Sequence, residues 1–465
     1  MTGIPADQVL AELRALREGD LPTHGGRLFA YVYDPAVPGL DELAREAYGI
    51  SSAVNGLDPT AFPSLLAMEN ALVATAGRLL GAGPGTAAPD MVGSVTSGGT
   101  ESILLAVKAA RDAGATEQPR MVVPYSAHAA FAKAAQYFGV ALDVVPTGSG
   151  LRADVAATAR RIGPDTVLVV GSAPSYAHGV IDPIAELAAV AAERGVRCHV
   201  DACFGGWVLP YLRRLGADIP PFAFDVPGVT SVSVDLHKYA YTPKGVSLLL
   251  HRDAGLRASQ YFAYSDWPGY PMVNPVLTST RPGGPIAAAL ATVRHLGDDG
   301  YLRLAGRTRE AVAILAAAVE ATEGVRLIAP AETTVVCLTC TPGYDVFVLA
   351  DELAARGWHT QVQLGYDDVL PTLHLTVTAA VRDAVDAFAA DLAAAVTAAE
   401  GTRPAQVPVL SPQDVTPELI QQLAATTGLS SGRMSEVHRL LDAASPALRE
   451  ALLTGFLSQL QSPAW

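Results

Sequence analysis

Two hydrophobic rhythms divide this chain. Met121-Val122-Val123, Thr166 to Val170, Val229 to Val234 and Val246 to Leu250 are continuous β-branched or apolar runs, the pattern of strands buried on both faces. Between such runs lie Ala-rich segments in which apolar residues recur three and four apart, as at Ile103, Leu104, Val107 and Ala110, which predicts helices. Asp182-Pro183 through Gly195 shows an N-cap, a proline at the first helical position and a terminal glycine. From about residue 63 to about 285 the two patterns alternate, predicting an α/β domain on a mostly parallel sheet with ligand groups at strand C-termini. Helix-period stretches with strands at 334–341 and 372–377 predict a smaller α+β domain after it.

The ends differ in character. A charged helix over 5 to 18 is followed by a Pro/Gly-rich stretch to Phe62. Gly401 to Pro412 resembles a linker, and Thr416 to Gln461 reads as helical. There Leu419, Ile420, Leu423, Leu452, Leu453, Phe456, Leu457 and Leu460 predict a docking face. The expected division is an arm (1–62), a large domain (63–289), a small domain (290–400), and a linker plus helical extension (401–465).

Candidate chemistry follows the strand ends. Lys238 leaves the run Val229 to Val234 within Asp-Leu-His237-Lys238-Tyr, ahead of Pro243-Lys244-Gly245. A lysine there suits Schiff-base formation with the aldehyde of pyridoxal 5′-phosphate and later proton transfer. Thr96-Ser97-Gly98-Gly99-Thr100 opens a helix, where free N–H groups and the helix dipole cradle phosphate. Asp201 ends the segment Cys198-His199-Val200-Asp201, as needed to pair with a protonated pyridine nitrogen. His128, in Ser126-Ala127-His128, is placed to stack on such a ring. Taken singly, these are also a surface lysine, a glycine turn and a capping histidine; their order and spacing over about 140 residues point to the cofactor.

These segments resemble the sphingosine-1-phosphate lyases within the group II pyridoxal-dependent decarboxylases. The matching patterns include Thr-Ser-Gly-Gly-Thr-Glu-Ser (96–102), Ser-Ala-His-Ala-Ala-Phe (126–131) and His-Gly-Val-Ile-Asp-Pro (178–183). His-Val-Asp-Ala-Cys (199–203), His-Lys-Tyr (237–239), Pro-Lys-Gly (243–245) and Arg-Pro-Gly-Gly (281–284) complete the set. The resemblance implies a fold type I enzyme acting as a carbon–carbon lyase on a phosphorylated 2-amino-3-hydroxy amine, giving an aldehyde and phosphoethanolamine. It implies that Gly98, Gly99, Thr100 and His237 hold the cofactor phosphate, with Lys238 or His199 moving protons. Tyr33 and Lys244 match the family's groups for the substrate phosphate. It further implies a homodimer with shared sites, in which the N-terminal arm crosses over and Thr280 reaches the partner's cofactor phosphate.

Two departures fall on the substrate side. Where lyases carry a phosphate-binding histidine this chain has Asp58, and Met272 stands at an active-site tyrosine position. A carboxylate facing a phosphate at ~4 Å would cost on the order of a few kcal/mol unless it turned away. Amino-acid decarboxylation is the alternative reading, because decarboxylases of the superfamily resemble the chain at Asp58. A catalytically dead scaffold is the third.

Composition narrows the classes. With half of 465 residues hydrophobic the chain can bury large cores. A net charge of −14 and a pI near 5.1 argue against a nucleic-acid partner. No apolar run approaches the ~18 residues of a membrane span, and the first residues lack a signal peptide's pattern; a cytoplasmic enzyme is expected. Four cysteines make no disulfide framework, and Cys337-Leu-Thr-Cys340 on a strand would face opposite sides, so no metal site is expected.

Overall fold

The structure is a computed structural model that describes residues 3–401, 411–426 and 433–463. Seven strands build the main sheet: β1 (Val92–Thr96), β2 (Arg120–Pro124), β3 (Ala141–Val145), β4 (Thr166–Ser172), β5 (Arg197–Asp201), β6 (Val229–Asp235) and β7 (Ser247–His251). Their spatial order is β1-β7-β6-β5-β4-β2-β3. β7 runs antiparallel to both its neighbours, while the β6-β5-β4-β2-β3 pairings are all parallel. Helices cover both faces, which is why β4 and β7 are buried at every position. The C-terminal ends of β4, β5 and β6 therefore open at one edge, where a ligand pocket of such sheets forms.

The small domain carries a four-stranded antiparallel sheet, β10 (Val325–Leu327), β11 (Val335–Cys340), β12 (Gln361–Gln363) and β13 (Thr372–Thr376), after a hairpin of β8 (Phe262–Tyr264) and β9 (Met272–Asn274). The helix Gly283–Ala321 runs across the expected boundary at 289/290, with non-helical backbone at Gly297. Cys337 is buried and Cys340 half-buried on β11. Burial pushes both thiols up to about 12, so neither is a ready ligand or nucleophile.

The arm is not simply draped outward. Phe29 is fully buried in the small-domain core, its ring 6.1 Å from Trp358 and 5.1 Å from Phe388. The N–H of Phe29 donates to the His359 carbonyl, and its carbonyl accepts from Thr376 N–H. The helix Ala6–Leu16, by contrast, buries nothing within this chain.

At the other end, Ile420, Leu440, Leu448 and Leu452 make a small helical core. It is pinned to the small domain by Arg439 on Asp345 at 2.9 Å and by two N–H groups, of Met434 and Ser435, on the Asp351 carboxylate. The expected docking face is thus split: Leu453, Leu457 and Leu460 stay exposed. The stretch 402–410 expected as a linker, and the side chain of Leu423, lie outside the described residues.

Candidate active site

Three strand ends converge on one cavity of about 420 Å³. β1 delivers the turn Ser97-Gly98, from which the helix Gly99–Ala113 starts. β5 delivers Asp201, and β6 delivers Asp235, His237 and Lys238. Of the residues predicted to hold a cofactor, Gly98, Gly99, Thr100, His128, Asp201, His237 and Lys238 all line this cavity.

Local chemistry fixes each group. Glu101 accepts from the Ser97 N–H at 2.6 Å and from the Leu277 N–H at 2.9 Å, tying the turn to the segment before Arg281. Gly99 has no room for a side chain: a Cβ there would sit 2.7 Å from Cys203 Sγ and 2.8 Å from both Asp235 oxygens. Asp201 accepts from the Cys203 N–H at 3.1 Å and the Ser233 hydroxyl at 3.3 Å. His128 Nδ1 accepts from the Ala130 N–H at 3.1 Å, and its ring meets Tyr176 edge-on at 6.4 Å.

Lys238 Nζ lies 3.0 Å from Asp235 Oδ2 and 5.5 Å from the centre of the Phe204 ring. Burial opposes its charge, but Asp235, with Asp201 behind, outweighs burial and holds the ammonium above the ordinary lysine range. Burial pushes His237 down despite Asp235, and its Nδ1 is buried without a hydrogen-bond partner.

Two further chambers flank the cavity. One, also about 420 Å³, shares His237 and is walled by Tyr33, Lys244, Arg45, His24 and Asp41. There Lys244 Nζ stands 4.9 Å over the Tyr33 ring. Burial first, and Lys238 second, pull Lys244 down to about 8. His24 bridges Asp34 at 3.5 Å and Asp41 at 3.2 Å. The other chamber, about 330 Å³, shares His128 and Tyr176 and is walled by Tyr125, His178, Leu364 and Tyr366, with no lysine, arginine or carboxylate among its lining residues. Burial takes His178 down to about 4, so it is neutral.

Three expected site residues lie elsewhere. His199 is wholly buried in β5, bonded to the Ser231 and Ser233 hydroxyls at 2.9 and 3.2 Å, and burial lowers it to about 4. Thr280 donates to Asn55 Oδ1 at 3.2 Å, beside the partly buried Arg281–Glu69 pair at 2.8 Å. Asp58 is exposed and turned onto Thr60, whose hydroxyl and N–H donate to it at 2.6 and 2.8 Å, lowering its pKa. Met272 lies on the β8–β9 hairpin, where Trp267, Tyr270 and Val273 are exposed. The residues that sequence reasoning passed over are Asp235, Glu101, Tyr176 and Phe204. Asp235 carried the same signal as Asp201, a carboxylate closing an apolar strand, three residues before the lysine.

The cavity fits pyridoxal 5′-phosphate. It offers a helix N-terminus stripped of side chains at Gly98-Gly99, an unpartnered His237 Nδ1 beside it, a buried carboxylate opposite, and a lysine at the strand exit.

Comparison with known proteins agrees. A family described as the pyridoxal-dependent decarboxylase conserved domain matches residues 24–341, and a domain of pyridoxal-dependent enzymes named for a C-terminal helix-turn-helix matches 377–459. Sphingosine-1-phosphate lyase of Arabidopsis thaliana is 40% identical over 359 residues, covering 76% of this chain and 65% of that protein. The lyase of Dictyostelium discoideum is 39% identical over 356 residues, with 76% and 65% covered. The chain thus spans about two thirds of the length of these curated relatives. Among solved structures, a sphingosine-1-phosphate lyase of Burkholderia pseudomallei superposes with a TM-score of 0.80 at 37% identity, covering 86% of this chain and 92% of that one.

Proposed function

We propose, for a chain that belongs to the pyridoxal-dependent decarboxylase family and takes pyridoxal 5′-phosphate, that it cleaves the Cα–Cβ bond of a phosphorylated 2-amino-3-hydroxy amine in the manner of a sphingosine-1-phosphate lyase. The products are an aldehyde and a phosphoethanolamine-type compound. The observation that carries this reading is the Lys244 chamber. A basic pocket containing Lys244, Arg45 and Tyr33 adjoins the Lys238 cavity through His237. Among the described residues Lys244 forms no ion pair, and the carboxylate that acts on it is Asp235, at longer range. Its charge is free for an anionic substrate end.

Bound, the cofactor supplies an aldehyde for the substrate amine and a ring that takes up the electron pair of the broken bond. The chain does the rest. The N–H groups at Gly98, Gly99 and Thr100, with His237, would hold the cofactor phosphate, Asp201 would pair with the ring nitrogen, and His128 would cover the ring. Lys244 and Tyr33 hold the substrate phosphate, which fixes the reacting bond beside Lys238. Displaced by the substrate amine, Lys238 accepts the proton of the 3-hydroxyl as the aldehyde forms, then returns it to Cα. His199 is assigned to strand packing, since its ring nitrogens are both engaged within the sheet.

That Asp58 is bonded to Thr60 and is not among the residues lining the Lys244 chamber supports a phosphate there within one chain. Decarboxylation remains the competing reading, because it draws on the same electron sink. We infer a cytoplasmic homodimer, supported by four free cysteines and by exposed apolar surface on the helix Ala6–Leu16 and the β8–β9 hairpin. Assaying purified enzyme with a phosphorylated sphingoid base against a panel of amino acids separates the readings. Aldehyde release is expected; carbon dioxide from an amino acid, with no aldehyde, would overturn the lyase.

A further inference from the structure

The steps above give Asp235 nothing to do, although it is the carboxylate in contact with the reacting lysine. It ends β6, is 3% exposed, and lies 3.0 Å from Lys238 Nζ and 3.6 Å from His237 Nε2. Its other oxygen has no hydrogen-bond partner. A carboxylate so buried and so sparsely bonded is tenable only beside a cation. The remaining titratable groups around the lysine are Asp201 at the end of β5 and Cys203 just after it, His237 beside it, Lys244 in the following turn, and Tyr33, Tyr176, His128 and Glu101 on the surrounding walls. Among the described residues Asp235 alone forms an ion pair with Lys238. Gly99 packs so close to the carboxylate that a Cβ there would lie 2.8 Å from both its oxygens.

We propose that Asp235 is a positioning residue that holds Lys238 as an ammonium in the cofactor-free protein, and again in turnover once the displaced lysine has taken up a proton. The proposal rests on the cofactor and on Lys238 as its anchor, not on the choice of substrate. In the cofactor-free protein the ammonium must lose a proton to solvent before it can react. The neutral amine then adds to the aldehyde carbon of pyridoxal phosphate, a C=N bond replaces C=O, and the carbonyl oxygen leaves as water. During turnover the same pairing stabilises Lys238 after it has taken the hydroxyl proton, and keeps that proton beside Cα for return. Asp235 thereby trades slow loading for a proton held in place.

The test reads cofactor uptake rather than turnover. Full-length protein freed of cofactor is mixed with pyridoxal phosphate, and the rise of visible absorbance is timed against pH. Wild-type loading should quicken about tenfold per pH unit and not level below the ordinary lysine range near 10. Asp235→Asn should load at least tenfold faster at about pH 7, because each unit lost from the lysine pKa exposes about ten times more neutral amine. Asp235→Glu should return the profile toward wild type. Equal rates and profiles for wild type and Asp235→Asn would overturn the proposal. Should Asp235→Asn not fold, the wild-type profile decides alone: levelling below about pH 10 sinks the idea. Since no substrate is present, a wrong assignment of the reaction leaves this result untouched.

Discussion

Replacing Gly99 by alanine should damage cofactor binding, against what helix propensity alone would suggest. At the first helical position alanine is intrinsically favoured over glycine by up to about 1 kcal/mol. Here the added methyl would lie 2.7 Å from Cys203 Sγ and 2.8 Å from both Asp235 oxygens. Comfortable contacts are about 3.5–4.0 Å, so each neighbour must retreat by roughly 1 Å. Cys203 is buried, and Asp235 is tethered to Lys238, so the cheaper movement is of the phosphate turn itself. Overpacking of this kind costs about 1–3 kcal/mol, or roughly 5- to 150-fold in an equilibrium constant. Titrating cofactor-free protein with pyridoxal phosphate and following visible absorbance should show the dissociation constant rising within that range. Adding Cys203→Ala should recover part of the loss, because it removes the sulfur contact but not the carboxylate one. Wild-type affinity and melting temperature in Gly99→Ala would refute the packing account of the cradle.

Lys244→Gln should raise KM for a phosphorylated substrate at least tenfold with a smaller change in kcat. Because Lys244 is lowered to about 8, it is charged below that pH and loses its charge above it; wild-type KM should therefore climb as pH passes about 8, while the variant stays flat. His199→Ala should destabilise the fold by about 1–3 kcal/mol through the Ser231 hydroxyl it leaves unpaired, read as a lower melting temperature, yet keep the shape of the pH–rate profile; a lost acidic limb would restore His199 as a proton carrier. Mixing inactive Lys238→Ala subunits with inactive Thr280→Asp subunits should recover activity if sites are shared, and an active monomer at high dilution would exclude sharing.

Much of the cavity was legible because each of its groups follows an apolar strand, and parallel strands deliver their C-terminal ends to one edge. Lys238, Asp201 and the Gly98-Gly99 turn are all of this kind. His199 lies outside the cavity for a geometric reason. It shares a strand face with Asp201 but lies two residues deeper, about 7 Å into the sheet, where two serines rather than a ligand satisfy it. Asp235 escaped notice because a strand-end carboxylate next to a lysine reads as an ordinary surface pair until its burial is known. The arm was harder still. Its glycines and prolines signal irregular backbone, and nothing local shows that Phe29 belongs to a core built more than 300 residues later. Likewise, hydrophobic spacing in the last helix does not reveal that Leu453, Leu457 and Leu460 stay largely exposed.

Phe29 and Tyr33 are four residues apart, and they are moored in different domains. Phe29 is clamped between Trp358 and Phe388, while Tyr33 rests edge-on against Phe204 at 6.1 Å and Tyr239 at 5.2 Å. Four residues reach at most about 14 Å when fully drawn out. The arm is thus a short leash: the two domains can swing apart only as far as its slack allows, and any swing that takes up the slack pulls on Tyr33, the roof of the Lys244 chamber. Tyr239, the residue after the anchoring lysine, adds a second line by donating to the Val377 carbonyl at 2.8 Å. Opening between the domains is therefore felt first at the Lys244 chamber.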